Sequence, residues 1–174
     1  MRRHAQRWRL SASTTALAAI GLASLALVAC ATMNAERDPG WIDDARVTSR
    51  EAGASQWLTT GGDAGKTHHS RLDQINTENV DRLGFAWEHD TGWNRVMEAT
   101  PIVVDGVLYS SGPAGVAFAL DAATGEELWA YRPDIQWRAV RSSCCDLANR
   151  GVAVWEGKVY VATIDGVLHA LDAA

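Results

Sequence analysis

Phenylalanine and tyrosine are scarce in this 174-residue chain, which contains two Phe and three Tyr against eight Trp. Proline is also scarce, with four residues, whereas glycine numbers fifteen. The 47% of apolar residues and the 21% of charged residues exclude a disordered chain and a collagen-like chain. A core of Trp, Val, Ala and Gly with little Phe predicts thin, repeated β layers that are joined by tight turns.

Cysteine is rare as well, and the three residues present are Cys30, Cys144 and Cys145. Their spacing excludes a CxxC zinc site. Two of the three are adjacent in the chain, so the odd count leaves Cys30 apart from a neighbouring pair.

The first thirty residues lack acidic side chains, and their apolar stretch is too short for a membrane span. Four arginines, at positions 2, 3, 7 and 9, precede an apolar stretch of fourteen residues, 16–29. A helix needs about 20 apolar residues to cross a bilayer, whereas a basic region before a shorter apolar one is typical of a signal peptide. We therefore predict that residues 1–30 direct export to the periplasm.

The cysteine that ends this segment leaves two processing routes open. Leu27-Val28-Ala29-Cys30 resembles the lipobox of bacterial lipoproteins, which implies lipidation of Cys30 and a lipid anchor in the membrane. Ala29-Cys30-Ala31 also fits the Ala-x-Ala site of ordinary signal peptidase, which would release a free periplasmic protein. Both routes deliver the protein to a compartment in which disulfides persist.

A cluster of basic residues is missing from the rest of the chain. Removal of residues 1–29 leaves twelve basic and twenty-one acidic residues, a formal charge of −9. Such an acidic chain argues against a nucleic-acid partner.

Regular structure is predicted mainly after residue 83. Residues 31–56 are polar and lack periodicity, so they are predicted to be a tether and lead-in with a short helix around residues 43–51. An Asn or Thr N-cap favours a helical turn that ends near Leu83, and Phe85–Trp87 is predicted to be a short strand. Residues 102–109 predict a β-hairpin, because their central Asp-Gly supplies the positive φ angles of a two-residue turn.

An internal repeat gives the clearest indication of the fold. Residues 105–123 match residues 156–174 at an offset of 51 without a gap: Asp-Gly-Val-Leu-Tyr aligns with Glu-Gly-Lys-Val-Tyr, and Ala-Leu-Asp-Ala-Ala recurs unchanged. A period near 50 with several short strands is typical of propeller blades. A small sheet cannot bury both of its apolar faces alone, and stacking blades around an axis solves this.

We therefore expect an all-β chain whose residues 57–174 form an incomplete propeller. The repeat accounts for about one complete blade plus partial blades, whereas a closed propeller needs at least about four. On this reading the chain is the N-terminal part of a larger propeller, preceded by its export signal.

Residues 119–129, Ala-Leu-Asp-Ala-Ala-Thr-Gly-Glu-Glu-Leu-Trp, resemble the tryptophan-docking motif of the pyrroloquinoline-quinone (PQQ) dehydrogenases. These quinoprotein alcohol dehydrogenases are eight-bladed propellers. The resemblance implies that Asp121 caps a turn, that Gly125 is left-handed and that Trp129 stacks on the neighbouring blade. Outer-membrane assembly scaffolds with related repeats share this motif.

Two further segments resemble the PQQ-dehydrogenase family more specifically, and the whole resemblance covers residues 57–174. Glu98-Ala-Thr-Pro corresponds to the segment whose glutamate hydrogen-bonds the quinone cofactor. Cys144-Cys145-Asp-Leu-Ala-Asn-Arg150-Gly corresponds to the stretch in which adjacent cysteines form a vicinal disulfide packed on one face of PQQ, followed by an arginine that contacts the ring. The resemblance thus implies cofactor-binding roles for Glu98, Cys144, Cys145 and Arg150.

A disulfide between neighbours would serve a local purpose. Ordinary disulfides join Cα atoms about 5.5 Å apart, whereas a trans peptide holds neighbouring Cα atoms at about 3.8 Å. Such a bridge closes almost no loop, but it provides a rigid, polarizable surface for a planar ring. The alternative is a pair of free thiols at Cys144 and Cys145.

The function implied by the resemblance is oxidation of alcohols, or of related hydroxyl or aldehyde substrates, by hydride transfer to PQQ. The catalytic base, the Ca²⁺ ligands and any haem c region are expected beyond Ala174, so no catalytic or metal-binding residue is assigned here and this chain alone is expected to be inactive. An electron acceptor such as a cytochrome c is the expected partner. The alternative is a non-enzymatic propeller lipoprotein that acts as a scaffold of the cell envelope.

Overall fold

A computed structural model describes residues 38–141 and 146–174. The predicted export signal, Cys30 and the start of the lead-in lie outside these described residues, and so do Cys144 and Cys145. Within the described ranges no helix is long and apolar enough to span a membrane.

The structure consists mainly of two antiparallel sheets, which confirms the all-β prediction. The first sheet has four strands in the order β1-β2-β3-β4, and the second has three in the order β5-β6-β7. The strands are β1 (Ile102–Val104), β2 (Val107–Ser111), β3 (Ala117–Asp121), β4 (Glu127–Tyr131), β5 (Ala153–Trp155), β6 (Lys158–Ala162) and β7 (Leu168–Asp172). The helical elements are α1 (Asp44–Val47), α2 (Trp137–Val140) and single 3-10 turns at Val80–Arg82 and Pro113–Gly115.

The repeat in the sequence is a repeat in the structure. Strands β5, β6 and β7 each begin 51 residues after β1, β2 and β3. The register is also the same, because Ile102 pairs with Tyr109 in the first sheet and Ala153 pairs with Tyr160 in the second. The two sheets are therefore equivalent blades.

The turns that open the two blades have the predicted backbone. Asp105 and Gly106 have φ angles of 51° and 81°, and Glu156 and Gly157 have angles of 45° and 73°. Two successive positive φ angles match the right-handed twist of the flanking strands. Each turn thereby fixes the register of the hairpin that it connects.

The docking motif of the first blade reaches the second blade as expected. The Asp121 carboxylate accepts hydrogen bonds from the Thr124 backbone N–H at 2.8 Å and from its hydroxyl at 2.9 Å, which lowers the pKa of Asp121. Gly125 has a φ of 76°. The Trp129 indole Nε1–H donates to the Ala173 carbonyl at 3.3 Å. The motif thus joins the outer strand of one sheet to the end of the next.

Replacement of Trp129 by alanine is expected to lower the free energy of unfolding by about 2–3 kcal/mol, because a half-buried indole and a hydrogen bond between blades are lost. Leu128→Ala is the matched control, since Leu128 lies on the same strand and is 53% exposed. It should cost less than about 0.5 kcal/mol. Equal losses for the two variants in chemical denaturation would contradict this role for Trp129.

Residues 38–62, which include much of the predicted lead-in, pack into the core. Ile42, Ala52 and Leu58 are buried in the same cluster as the inner strands. Trp57 forms a bridge to Val103 of β1, with N–H to O distances of 2.8 and 2.9 Å. The described part of the lead-in therefore packs in the core, and Trp57, the residue that follows the lead-in, joins the edge of the first blade.

A buried arginine links this segment to the first hairpin. Asp43 caps the short helix α1, which lies where a helix was predicted, by accepting from the Arg46 backbone N–H at 2.8 Å. The Arg46 side chain is 5% exposed, and its guanidinium makes two hydrogen bonds to the Asp105 carboxylate. It also donates to the Trp41 carbonyl at 2.7 Å. The hydrogen bond to Asp105 raises the pKa of Arg46.

The predicted strand at Phe85–Trp87 is wrong, whereas the preceding turn is present as the 3-10 turn Val80–Arg82. Phe85 is 80% exposed, and no backbone hydrogen bond joins residues 85–87 to another part of the described chain. Instead the Trp87 ring lies against Gly125, where a Cβ would approach it to 2.5 Å. Side-chain contact therefore takes the place of strand pairing.

Candidate cofactor site

The candidate site lies where both blades begin. In an antiparallel sheet the start of one strand lies beside the end of the next strand. The segments that enter β1 and β5 therefore meet the loops that leave β2 and β6 at one end of the two sheets. Glu98 precedes β1 and Arg150 precedes β5, so the topology brings both predicted residues to this end.

A backbone bridge sets these two entry segments side by side. Thr100 and Gly151 form a parallel bridge, in which the Thr100 N–H donates to the Arg150 carbonyl at 3.4 Å. Gly151 has a φ of 123°, and a Cβ at this position would lie 2.9 Å from the Thr100 carbonyl oxygen. Glycine is thus required here for its conformation and for its lack of a side chain. The bridge aligns Glu98 with Arg150.

The two predicted side chains form an ion pair. Arg150 Nη2 lies 3.2 Å from Glu98 Oε2, and the side chains are 73% and 40% exposed, respectively. An exposed ion pair contributes little to stability, because both charges are well hydrated. Each group can therefore exchange part of this contact for a ligand at small cost.

A pocket of about 240 Å³ adjoins Arg150. Leu147 and Ala114 are buried in its wall, and Trp93 packs against the same cluster. The other lining residues are Gly115, Ala148, Asn149, Arg150, Ala162, Thr163 and Ile164. The pocket thus has an apolar side, to which Leu147 and Ala114 belong, and a polar side that includes Asn149, Thr163 and the Arg150 cation.

A chain of hydrogen bonds runs behind this pocket. Thr163, which is buried, donates from its hydroxyl to the Asp165 carboxylate at 2.6 Å, and the Gln136 N–H donates to the same carboxylate at 3.1 Å. These bonds lower the pKa of Asp165, with the Thr163 hydroxyl as the larger cause. The His169 ring lies between the Tyr131 hydroxyl at 3.2 Å and Thr163 at 3.5 Å. The network fixes the loop after β6 to both blades.

Comparison with known proteins identifies the family to which this part of the chain belongs. Residues 57–174 match the family described as "PQQ: Glucose/ethanol/alcohol dehydrogenase, beta-propeller domain". The chain belongs to this family.

Relatives within the PQQ-dehydrogenase family are similar in sequence and in structure. Quinohemoprotein alcohol dehydrogenase ADH-IIG of Pseudomonas putida is 42% identical over 164 residues, which cover 91% of this chain and 23% of the relative. The solved quinohemoprotein alcohol dehydrogenase of Comamonas testosteroni has a TM-score of 0.73 at 46% identity, covering 77% of this chain and 20% of the other. A solved europium-containing methanol dehydrogenase has a TM-score of 0.66 at 37% identity, covering 74% and 22%. The chain thus spans about a fifth of the length of these relatives.

The structure describes two of the four predicted cofactor-binding residues. It pairs Glu98 with Arg150 beside the pocket, whereas Cys144 and Cys145 lie outside the described residues. The loop resumes at Asp146, whose carboxylate lies 3.3 Å from Arg95 Nη1. The predicted roles of the two cysteines therefore stay predictions.

Two supporting residues, Gly151 and Asn149, were missed in the sequence. Both belong to the Asn-Arg-Gly triplet around Arg150, and their place beside a predicted ligand was the feature of the sequence that could have identified them. Asn149 bonds Ser111, 38 residues earlier in the chain, and Gly151 pairs with Thr100, 51 residues earlier, and a local pattern shows neither contact. Within the described ranges, no group of three or more His, Cys, Asp or Glu side chains is placed to hold a metal ion.

Proposed function

We propose that this chain supplies one wall of the PQQ site of an exported quinoprotein dehydrogenase that oxidises alcohols. The observation that carries the proposal is the Glu98–Arg150 pair at the edge of a pocket, within the segment that matches the family. The enzyme proposed is a whole protein of which this chain is the N-terminal part, since the chain covers only about a fifth of the length of its relatives.

The residues present suit PQQ, which is a planar tricarboxylate with an ortho-quinone. The Arg150 guanidinium is largely exposed and offers a fork of N–H donors, which binds carboxylate or quinone oxygens in pairs. Glu98 lies within reach of the same ligand edge and can accept or share a hydrogen bond. The buried Leu147 and Ala114 give a planar ring an apolar surface close to this charge.

Each of these residues has a physical role in the proposed reaction. Arg150 holds the cofactor edge, and its fixed charge stabilises electron density that arrives there. Glu98 orients the guanidinium through its ion pair with Arg150. The apolar wall excludes water from the ring face. When bound, PQQ would supply the carbon that accepts hydride from the alcohol, and Ca²⁺ held by the rest of the protein would supply Lewis-acid polarisation.

Several parts of the proposal concern residues outside the described structure. Cys144 and Cys145 are proposed to form a vicinal disulfide that packs on the ring. The catalytic base, the Ca²⁺ ligands and any haem c region are assigned to the rest of the protein. The protein is proposed to act in the periplasm with an electron acceptor such as a cytochrome c, and Cys30 is the proposed site of a lipid anchor.

The test is alcohol oxidation by the complete gene product that contains this sequence. With PQQ and Ca²⁺ added, the protein should reduce an artificial dye in the presence of primary alcohols, and omission of PQQ should abolish the reaction. A protein denatured before the cofactors are added serves as the control. No cofactor-dependent activity with alcohols, aldehydes or sugars would reject the enzyme and favour the envelope scaffold.

A further inference from the structure

The side chain of Asn149 bonds three separate parts of the fold. Its Oδ1 accepts from the Ser111 hydroxyl, at the end of β2, at 2.7 Å and from the Gly151 N–H at 3.1 Å. Its Nδ2 donates to the carbonyl of Ala162, at the end of β6, at 2.8 Å. One amide thus joins both blades to the segment that carries Arg150.

These contacts match the donor and acceptor inventory of an amide. An amide has one carbonyl oxygen with two lone pairs and one NH₂ group, so it can accept twice and donate once at these positions. A carboxylate at position 149 could not donate to the Ala162 carbonyl, because both groups would be acceptors. Alanine would leave the fully buried Ser111 hydroxyl without this partner.

Among the described residues, the segment around Arg150 has two backbone hydrogen bonds, and it is also held by the buried Leu147 side chain and by the ion pair of Asp146 with Arg95. Residues 146–150 contain no helix or strand. Their backbone is held by the bond from the Ala114 N–H to the Leu147 carbonyl at 2.8 Å and by the weaker bond from Thr100 to the Arg150 carbonyl at 3.4 Å. The Arg150 side chain is largely exposed, so the space that its guanidinium can reach is set by where its backbone lies.

We propose that Asn149 is a positioning residue for the cofactor, acting through Arg150. By bonding the ends of β2 and β6 it holds the Arg150 backbone at the pocket edge, where the guanidinium meets Glu98 and the ligand. This inference rests on the proposed function, because the ligand that Arg150 is positioned to bind is PQQ.

The experiment is a double-mutant cycle on the complete gene product, with the PQQ dissociation constant measured by equilibrium titration. Asn149→Ala should weaken PQQ binding by about tenfold, since a displaced Arg150 guanidinium loses much of its contact with PQQ. In an Arg150→Ala background the same change should have almost no further effect, because the group that it positions is absent. A purely structural role would instead weaken binding equally in both backgrounds.

Asn79→Ala is the matched control. The Asn79 side chain also accepts from a backbone N–H, that of Asn76 at 2.9 Å, and donates to a carbonyl, that of Gln74 at 2.7 Å, in an exposed turn. This variant should bind PQQ as the unaltered protein does.

The possible results separate the two claims. If the unaltered protein binds no PQQ, the proposed function fails and the role of Asn149 fails with it. If the unaltered protein binds PQQ and Asn149→Ala binds it equally well, or if the effects of the two substitutions are additive, only the role of Asn149 is rejected.

Discussion

Replacement of Arg150 by alanine is expected to weaken PQQ binding by about 100-fold in the complete gene product. A charged, forked donor makes hydrogen bonds to an anionic ligand that together contribute about 3 kcal/mol, and every 1.4 kcal/mol is about tenfold in affinity. Breaking the Glu98–Arg150 ion pair on ligand binding costs little of this free energy, because that pair is exposed to water. Equilibrium titration with PQQ measures the effect.

Two further variants show whether the fork or only the charge is needed. Arg150→Lys keeps the charge without the paired donors, so its affinity should lie between those of the unaltered protein and the alanine variant. Arg82→Ala removes an equal charge from the exposed 3-10 turn Val80–Arg82 and should leave the affinity unchanged. Equal affinities for Arg150→Ala and Arg82→Ala would reject Arg150 as a cofactor ligand.

Replacement of Arg46 by alanine is expected to lower the free energy of unfolding by about 3 kcal/mol. The guanidinium is buried, and its removal takes away two charge-assisted bonds to Asp105 and one bond to the Trp41 carbonyl. Loss of one partner of a buried ion pair costs about 3–5 kcal/mol. The lower part of this range applies because Asp105 is 40% exposed and can be hydrated. Chemical denaturation of the purified protein measures the change.

Two controls separate the ion pair from the turn and from the total charge. Arg50→Ala removes an exposed arginine close by and should change the stability by less than about 0.5 kcal/mol. Asp105→Asn retains a residue that tolerates the positive φ of the hairpin turn, so any loss that it causes reports the ion pair. A stability of Arg46→Ala equal to that of Arg50→Ala would show that the lead-in does not depend on this contact.

The blades were predictable because their determinants are local. Asp105-Gly106 and Glu156-Gly157 fix the hairpin turns, and the offset of 51 between the repeats carries the first hairpin onto β5 and β6. The role of Arg46 was not predictable, since a charged residue in a polar segment resembles a surface residue. Its burial depends on Asp105, which lies 59 residues further along the chain.

The candidate site shows the same division between local and distant determinants. Glu98 and Arg150 were identified by resemblance, but their pairing depends on the bridge between Thr100 and Gly151, which only the fold brings together. The strand predicted at Phe85–Trp87 failed for a related reason. Apolar residues form a strand only where an edge is available for pairing, and there the described chain provides a side-chain contact instead.

The most direct measurement is a crystal structure of the complete gene product with PQQ bound. It should show the planar ring against the pocket wall that includes Leu147 and on a Cys144–Cys145 disulfide, with the Arg150 guanidinium within hydrogen-bonding distance of a PQQ oxygen. A ring bound elsewhere on the protein, with Arg150 paired only to Glu98 and facing solvent, would contradict the account.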